Sequence, residues 1–408
     1  MSRGAKAERF AADVAAPLTA GAPVVSGRVV DGGTACSTVP EGPDAACSTV
    51  PESPAAASMH VPRMTFIVPV YNTEQTLPAC LDSALAQTVR DIEVVCVDDG
   101  SPDGAAAVLA SYAERDARVR IIHQANAGLS AARNTGVAAA RGELIAFLDS
   151  DDAVEPNLCE RVLAAFSSAE GVDAVTFGAV CEPEEAASAR IKRLLSPEDR
   201  IFHGFDPALL FSANAQPYAW RTVLTRAFVE RGGIRFDESL RFAEDVPFHF
   251  TVYPLARTTV LIADKLYRYR MTAGSLTHVF NARSSRERKL EQHLEVLASI
   301  FSAWEDHSLG ALCPTEMVTW CLDFTLFDLL GVSDRCAQRS ARRLAELLER
   351  AYGPRWADLP QQGAVRHAAH AVKRADASGV HLGKAGLMRF FVATRGLAQC
   401  VERALRRG

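Results

Sequence analysis

The stretch MTFIVPVYNTEQTLPACLDSALAQTVRDIEVVCVDDGS (64–101) decides the fold. MTFIVPV (64–70) and IEVVCV (92–97) are short continuous apolar runs, the pattern of strands buried on both faces. Between them Leu77, Leu81 and Leu85 recur every four residues, on one face of a helix expected to begin at Thr73. A strand, helix and strand of this length require a right-handed crossover and parallel pairing. The unit then repeats. Ser101 and Pro102 are expected to cap and open an alanine-rich helix running to about Arg115, RVRIIH (118–123) to form a third strand, and a helix to run from about Gly128 to Arg141 before the strand ELIAFL (143–148). We therefore expect an α/β fold, a mostly parallel sheet with helices on both faces, whose ligands bind at the carboxyl ends of the strands.

Outward toward the C-terminus, VDAVTFGAV (172–180) and TTVLIA (258–263) read as further strands, with a helix near 225–231. Beyond about 281 strand signals stop, and 284–306, 315–330, 335–351 and 386–407 read as helices. In the other direction, residues 1–62 are rich in Ala, Gly, Pro, Ser and Thr and repeat ACSTVPE at 35–41 and 46–52, the composition of a disordered leader. Met59 and Met64 at its end are candidate starts of translation. The 408 residues thus divide into a leader (1–62), a sheet domain (64–280) and a helical C-terminal region (281–408), against a length prior of about 150 residues per domain.

Composition excludes several classes. With 48% hydrophobic and 23% charged residues the chain is neither wholly disordered nor collagen-like. No apolar run approaches the roughly 18 residues that cross a bilayer, and the first residues lead into no secretory signal, so a cytoplasmic, reducing location is expected. The ten cysteines never form a CxxC pair, which disfavours structural zinc and disulfides and leaves core packing. The net charge of −5 argues against nucleic acid as a partner, yet it is a cancellation: residues 1–350 carry 34 basic and 46 acidic side chains, and 351–408 carry 10 and 3.

The chemistry gathers where the sheet should hold its ligand. Asp98 and Asp99 end the second strand, and Asp149, Asp151 and Asp152 follow the fourth, so five carboxylates should share one rim. Like charges packed together need a cation or hydrogen-bond donors, and hard oxygen ligands suit Mg²⁺ or Mn²⁺ sharing its shell with substrate phosphates. The plain alternative is that aspartates merely end strands and cap helices. The turn VPVYN (68–72) and the helix start NAGLSAARNTG (126–136) face the same rim, the latter offering backbone donors and Arg133 to a phosphate.

VPVYN, VDDGS (97–101), NAGLSAARNTG, FLDSDD (147–152) and AEDVPF (243–248), in this order, resemble the family 2 glycosyltransferases of the Rossmann-like GT-A fold, in a non-processive bacterial form. YAWRTVLTRAFVERGGIRFDESL (218–240) resembles the acceptor-side segment of bacterial members, and the QxxRW motif of processive synthases does not occur. The resemblance implies an inverting, metal-dependent transfer from a nucleoside diphosphate sugar, by default UDP-linked, to a hydroxyl of a glycan or lipid-linked acceptor in cell-surface polysaccharide assembly. Pro69 and Tyr71 would line the nucleobase pocket, and Asp98 or Asp99 would read base or ribose. Asp149, Ser150 and Asp151 fall in the DXD motif, Asp151 as metal ligand and Asp149 as contact to ribose or metal. Arg133 would approach the diphosphate or sugar. Asp245 falls at the base position with Glu244 as its alternative, and His278 is a further candidate for metal or leaving group. The alternative function is a catalytically inactive nucleotide-sugar-binding or scaffolding protein of the same fold.

The segment 386–408 sets Leu387, Phe390, Leu397, Val401 and Leu405 on one arc opposite Arg389, Arg395, Arg403, Arg406 and Arg407. Two readings stand: a helix on an anionic membrane surface, placing the protein peripherally on the inner face of the cell membrane, or a helix docked on the helical region.

Overall fold

The computed structural model describes residues 60–271 and 285–396. The first half alternates as expected: β1 (Met64–Val70), α1 (Leu77–Leu85), β2 (Ile92–Asp98), α2 (Ala105–Arg115), β3 (Val119–His123), α3 (Leu129–Ala139) and β4 (Leu144–Phe147). There follow β5 (Ala153–Val154), α4 (Leu158–Phe166), β6 (Val172–Glu182), α5 (Ala189–Leu194), β7 (Arg200–His203), α6 (Ala208–Phe211), β8 (Thr222–Thr225), α7 (Arg226–Gly232), α8 (Asp245–Leu255) and β9 (Thr258–Arg270). The helical end comprises α9 (Arg286–Asp306), α10 (Pro314–Leu329), α11 (Asp334–Tyr352), α12 (Gly363–Lys373) and α13 (Lys384–Arg395).

One sheet takes the order β3-β2-β1-β4-β8-β6-β9-β5, with β7 also on β9. β3, β2, β1 and β4 are parallel, as are β6 and β9, whereas β8 runs antiparallel between β4 and β6. Alternation along β2 shows why helices cover both faces. Val94 and Cys96 pack in the main core with Leu109 of α2, while Val95 and Val97 meet Ala132 of α3 on the other side. A Cβ at Gly136 would lie 2.3 Å from Ile67 Cγ2, so glycine lets α3 lie this close to β1.

Several boundaries differ from the sequence expectation. α1 begins at Leu77 rather than Thr73, with Pro78 in its first turn; Thr73 instead closes a preceding turn by accepting the Leu77 N–H at 2.9 Å. Ser101 does not cap α2, whose N-cap is Gly104; the Ser101 N–H turns back to Asp98 Oδ1 at 3.0 Å. β9 runs seven residues past Ala263, beyond the point where Asp264, Lys265, Arg268 and Arg270 interrupt its apolar character. α12 was not foreseen, since its alanine-rich, histidine-containing sequence is low in mean hydropathy, although its buried Val365, Ala368, Ala369 and Val372 recur at helical spacing.

The helices beyond 285 join the sheet through a shared core. Trp304 Nε1 donates to the Phe250 carbonyl of α8 at 2.6 Å, and Ser299 Oγ donates to Asp237 Oδ2 at 2.7 Å. α13 is docked: Phe390 is fully buried, and Arg395, expected on the solvent arc, donates to Asp323 of α10 at 2.7 Å. Residues 397–408 of the amphipathic segment, and the leader 1–59, lie outside the described residues. Among those described, the seven cysteines are unpaired and no helix is long and apolar enough to cross a membrane.

The β6 carboxylate Asp173 ties the start of β6 to α7 and to the turn before β9. It is fully buried and accepts from Arg257 Nη2 at 2.9 Å and Arg231 Nη2 at 2.9 Å. Burial pushes its pKa up, but the hydrogen bonds and charges of Arg257 and Arg231 outweigh it and hold the carboxyl below its ordinary value. Its contribution is therefore complete above the usual carboxylate range and lost as pH falls through the lowered pKa. Asp173→Asn is expected to reduce the unfolding free energy by about 1–3 kcal/mol in urea titrations at neutral pH, with the difference from the parent shrinking in acid.

Candidate active site

The carboxyl ends of β1, β2 and β4 and the N-terminus of α8 meet at one rim, and a single cation lies beneath them. Arg133, on α3, is 1% exposed. Its Nη2 donates to Asp149 Oδ1 at 2.9 Å, and its Nη1 to Glu244 Oε1 at 2.8 Å and Asp245 Oδ1 at 3.0 Å. Its guanidinium carbon also stands 5.1 Å from the centre of the Phe236 ring. Phe236 stacks on Phe248 at 4.3 Å and meets Phe147 edge-on at 5.2 Å, so the apolar packing that seats α8 also seats the cation. Arg133 was expected to approach a phosphate. The structure instead places both of its terminal nitrogens on carboxylates, because at this burial a guanidinium must be paired.

The five rim aspartates separate by partner. Asp99 accepts from the backbone N–H of Ala127 and of Gly128, each at 2.8 Å, and from Gln124 Nε2 at 2.8 Å. It therefore holds the two backbone donors just ahead of α3, and Gly128, the N-cap at φ +97°, provides the turn that aims them. Asp98 accepts from the Ser101 N–H and lies 2.9 Å from His123 Nδ1; burial raises its pKa, but these two partners hold it below the ordinary value. Asp152 is 1% exposed, bound by the Tyr267 hydroxyl at 2.9 Å and the Arg270 N–H at 2.7 Å. Asp149 has Arg133, and its own N–H donates to the Tyr267 oxygen at 3.1 Å. Asp151 alone of the five accepts no hydrogen bond from another residue among those described, and burial together with Asp149 pushes its carboxyl up to about 6. Ser150 is buried, its Oγ accepting from Thr73 Oγ1 at 3.0 Å.

The second cluster stands at the start of α8. Ala243, a non-glycine residue at φ +58°, turns the chain so that Glu244 caps the helix and Asp245 opens it. Burial, then Glu244, raise the Asp245 carboxyl to about 7 against the opposing pull of Arg133 and, more weakly, of the Ala219 backbone. Pro69 is buried in β1, while Tyr71 is 51% exposed at the turn after it, so its ring is open on the rim. His278 lies outside the described residues.

Sequence reasoning missed an aromatic wall. Trp220 stacks on Tyr267 at 4.0 Å and on Tyr218 at 5.0 Å, with Tyr269 alongside. Tyr267 and Tyr269 share a face because β9 continues through them, and the alternation YRYR (267–270) was the available signal. Arg270, whose charge lowers the Asp151 pKa, was likewise missed.

A mostly parallel sheet with carboxylates at its strand ends, faced by a further carboxylate pair, sets this site where α/β scaffolds bind their ligands. The model of the family described as glycosyl transferase family 2 matches residues 65–215. The uncharacterized glycosyltransferase EpsJ of Bacillus subtilis (strain 168) is 34% identical over 265 residues, 62% of this chain and 73% of that protein. The putative glycosyltransferase EpsH of the same organism is 34% identical over 216 residues, 52% of this chain and 62% of its own. In fold, the chain resembles S. aureus TarS 1-349 in complex with UDP-GlcNAc, with a TM-score of 0.61 at 21% identity over 77% of this chain and 88% of that one. The chain belongs to glycosyl transferase family 2 and is a glycosyltransferase.

Removing the shared cation tests the arrangement. Arg133→Met should leave Asp149, Glu244 and Asp245 without their common donor and lower stability by roughly 3 kcal/mol in thermal or urea denaturation. Asp99→Asn should instead loosen the loop 124–128, visible as faster amide exchange at Ala127 and Gly128.

Proposed function

We propose that the protein moves a sugar from a nucleoside diphosphate sugar, UDP-linked by default, to a hydroxyl of a glycan or lipid-linked acceptor, with inversion, in polysaccharide assembly. The observation that carries this reading is the Arg133 guanidinium, within 3.0 Å of both Asp149 on the donor side and Asp245 on the opposite side. Relatives support the setting: the succinoglycan biosynthesis protein ExoO of Rhizobium meliloti (strain 1021) is 33% identical over 225 residues, and TarS was crystallised with UDP-GlcNAc.

In this reading the exposed ring of Tyr71, above Pro69, takes the nucleobase. Asp98 reads base or ribose through Oδ2, whose partner His123 is a side chain that can swing aside, whereas both carboxylate oxygens of Asp99 are held by backbone N–H groups. Asp245 accepts the proton of the acceptor hydroxyl as the oxygen attacks the anomeric carbon and the diphosphate leaves from the opposite face. A carboxyl with a pKa near the working pH suits this task better than one held low. Glu244 holds Arg133 in place. Arg270 stands where positive charge would meet the leaving phosphate, a role that Arg133 cannot fill from beneath its carboxylates.

The rim also fits a divalent cation. Asp151 carries a carboxylate with no donor from another residue among those described and a pKa raised to about 6, an excess of negative charge that a cation would relieve. Among the described residues no three His, Cys, Asp or Glu side chains are arranged to hold a metal ion by themselves, so Asp151, with Asp149, would hold Mg²⁺ or Mn²⁺ together with donor phosphates and water. Such an ion would supply Lewis-acid neutralisation of the departing diphosphate. A cytoplasmic site of action, with peripheral attachment through the end of the 386–408 segment, completes the proposal; the docking of α13 leaves residues 397–408 to make that contact.

Asp245→Asn should lower kcat by about 10²–10⁴-fold while donor affinity changes little, measured by transfer assays beside calorimetric donor titration. Transfer near the parental rate would assign the base elsewhere, and Glu244→Gln is the comparison. Because Asp245 works as the carboxylate, the parental kcat/KM should rise as pH increases through about 7 and level off above it.

A further inference from the structure

A second charged site lies outside the sheet, at the junction of α9 and α11. Arg335, Arg339 and Arg343 recur every four residues along α11, Arg342 lies three residues after Arg339, and all four line an open cavity of about 730 Å³. The acidic groups opposite do not neutralise them. Glu287 of α9 accepts from Ser333 Oγ at 2.8 Å, and Glu291 reaches only Arg339, at 3.9 Å. Arg335, Arg342 and Arg343 have no hydrogen bond or ion pair among the described residues, and all four arginines are exposed.

Arginines three and four residues apart repel and weaken the helix that bears them. On a convex surface solvent would screen them; here they converge on a hollow of the size that holds small ligands. From Arg335 to Arg343 the helix rises about 12 Å, longer than one phosphate can span. Guanidinium forks pair with phosphate oxygens two bonds at a time, and several in a row favour a multivalent anion over a single one.

We propose that the arginine-lined cavity between α9 and α11 is a second ligand site, for an anion carrying two or more phosphate groups. Donor chemistry at the sheet rim does not enter this inference, which holds or fails independently of the base and metal assignments. The phosphates could be presented free in solution or on a lipid surface, and the experiment separates these sources.

The full chain and the variant Arg335→Gln/Arg342→Gln/Arg343→Gln are compared by calorimetry with inorganic tripolyphosphate and by flotation with phosphatidylcholine vesicles containing cardiolipin, a lipid with two phosphates per molecule, beside neutral phosphatidylcholine vesicles. Glutamine keeps the length and helical propensity at exposed positions, and matched thermal unfolding verifies the fold. Any tripolyphosphate taken up at the donor site is common to both proteins and cancels in the comparison. The expected result is a loss on the order of tenfold or more in the variant, diminishing with added salt. Loss with tripolyphosphate identifies a soluble ligand as sufficient, and loss confined to anionic vesicles identifies a lipid-borne one. Equal behaviour of the two proteins toward both probes overturns the proposal.

Discussion

The buried guanidinium of Arg133 is the constraint around which the active site is arranged. A cation at 1% exposure must be paired, and its partners come from two places in the chain: the loop after β4 and the first turn of α8. The pairing fixes how far apart the two halves of the site can be. It also explains why three carboxylates can share a small volume, since each offsets the burial of the others' cation. Phe236, Phe248 and Phe147 supply the apolar side of the same arrangement, so charge pairing and core packing act on one helix terminus.

Around that point the rim separates structural carboxylates from reactive ones by the donors each receives. Asp99 and Asp152 accept backbone N–H groups and, for Asp152, a tyrosine hydroxyl; they bind the loops that form the site's floor. Burial and neighbouring carboxylates raise the pKa of Asp151, Asp245 and also Asp152, but of the rim aspartates only Asp151 lacks a donor from another residue among those described. Groups left in such a state cluster where chemistry occurs. The sheet order makes the separation possible, because inserting antiparallel β8 beside β4 brings Ala219 to Asp245 and Trp220 to the aromatic wall next to the rim.

How much of this was legible depended on whether the signal was local. The parallel half was, since MTFIVPV and IEVVCV are continuous apolar runs and their following aspartates mark strand ends. The rim's membership was therefore readable by residue type. Its internal division was not, because nothing in VDDGS says that Asp99 will meet the N–H groups of Ala127 and Gly128 while Asp98 meets His123. Arg133 reads as a phosphate ligand at a helix start, and only the packing of α8 reveals that its two terminal nitrogens already have carboxylate partners. β9 beyond Ala263 was hidden by its charges, with Tyr267 and Tyr269 in it. For α13 the amphipathic arc was legible, but an apolar arc looks the same whether it meets lipid or Phe390's pocket in the bundle.

The separation of Arg133 from its partners along the chain bears on the order of folding. Asp149 is 16 residues away, while Asp245 is 112. A chain emerging from the ribosome presents the parallel strands first, and those strands can pair among themselves. Their inner face, however, holds a cation whose charge is only partly matched until α8 arrives. The long-range closure of α8 onto α3 is thus the step that both balances the interior charge and completes the rim. Partly synthesised or partly unfolded chains would possess the strand-end aspartates without Glu244 and Asp245 beside them, so the complete rim and the completed fold arise together.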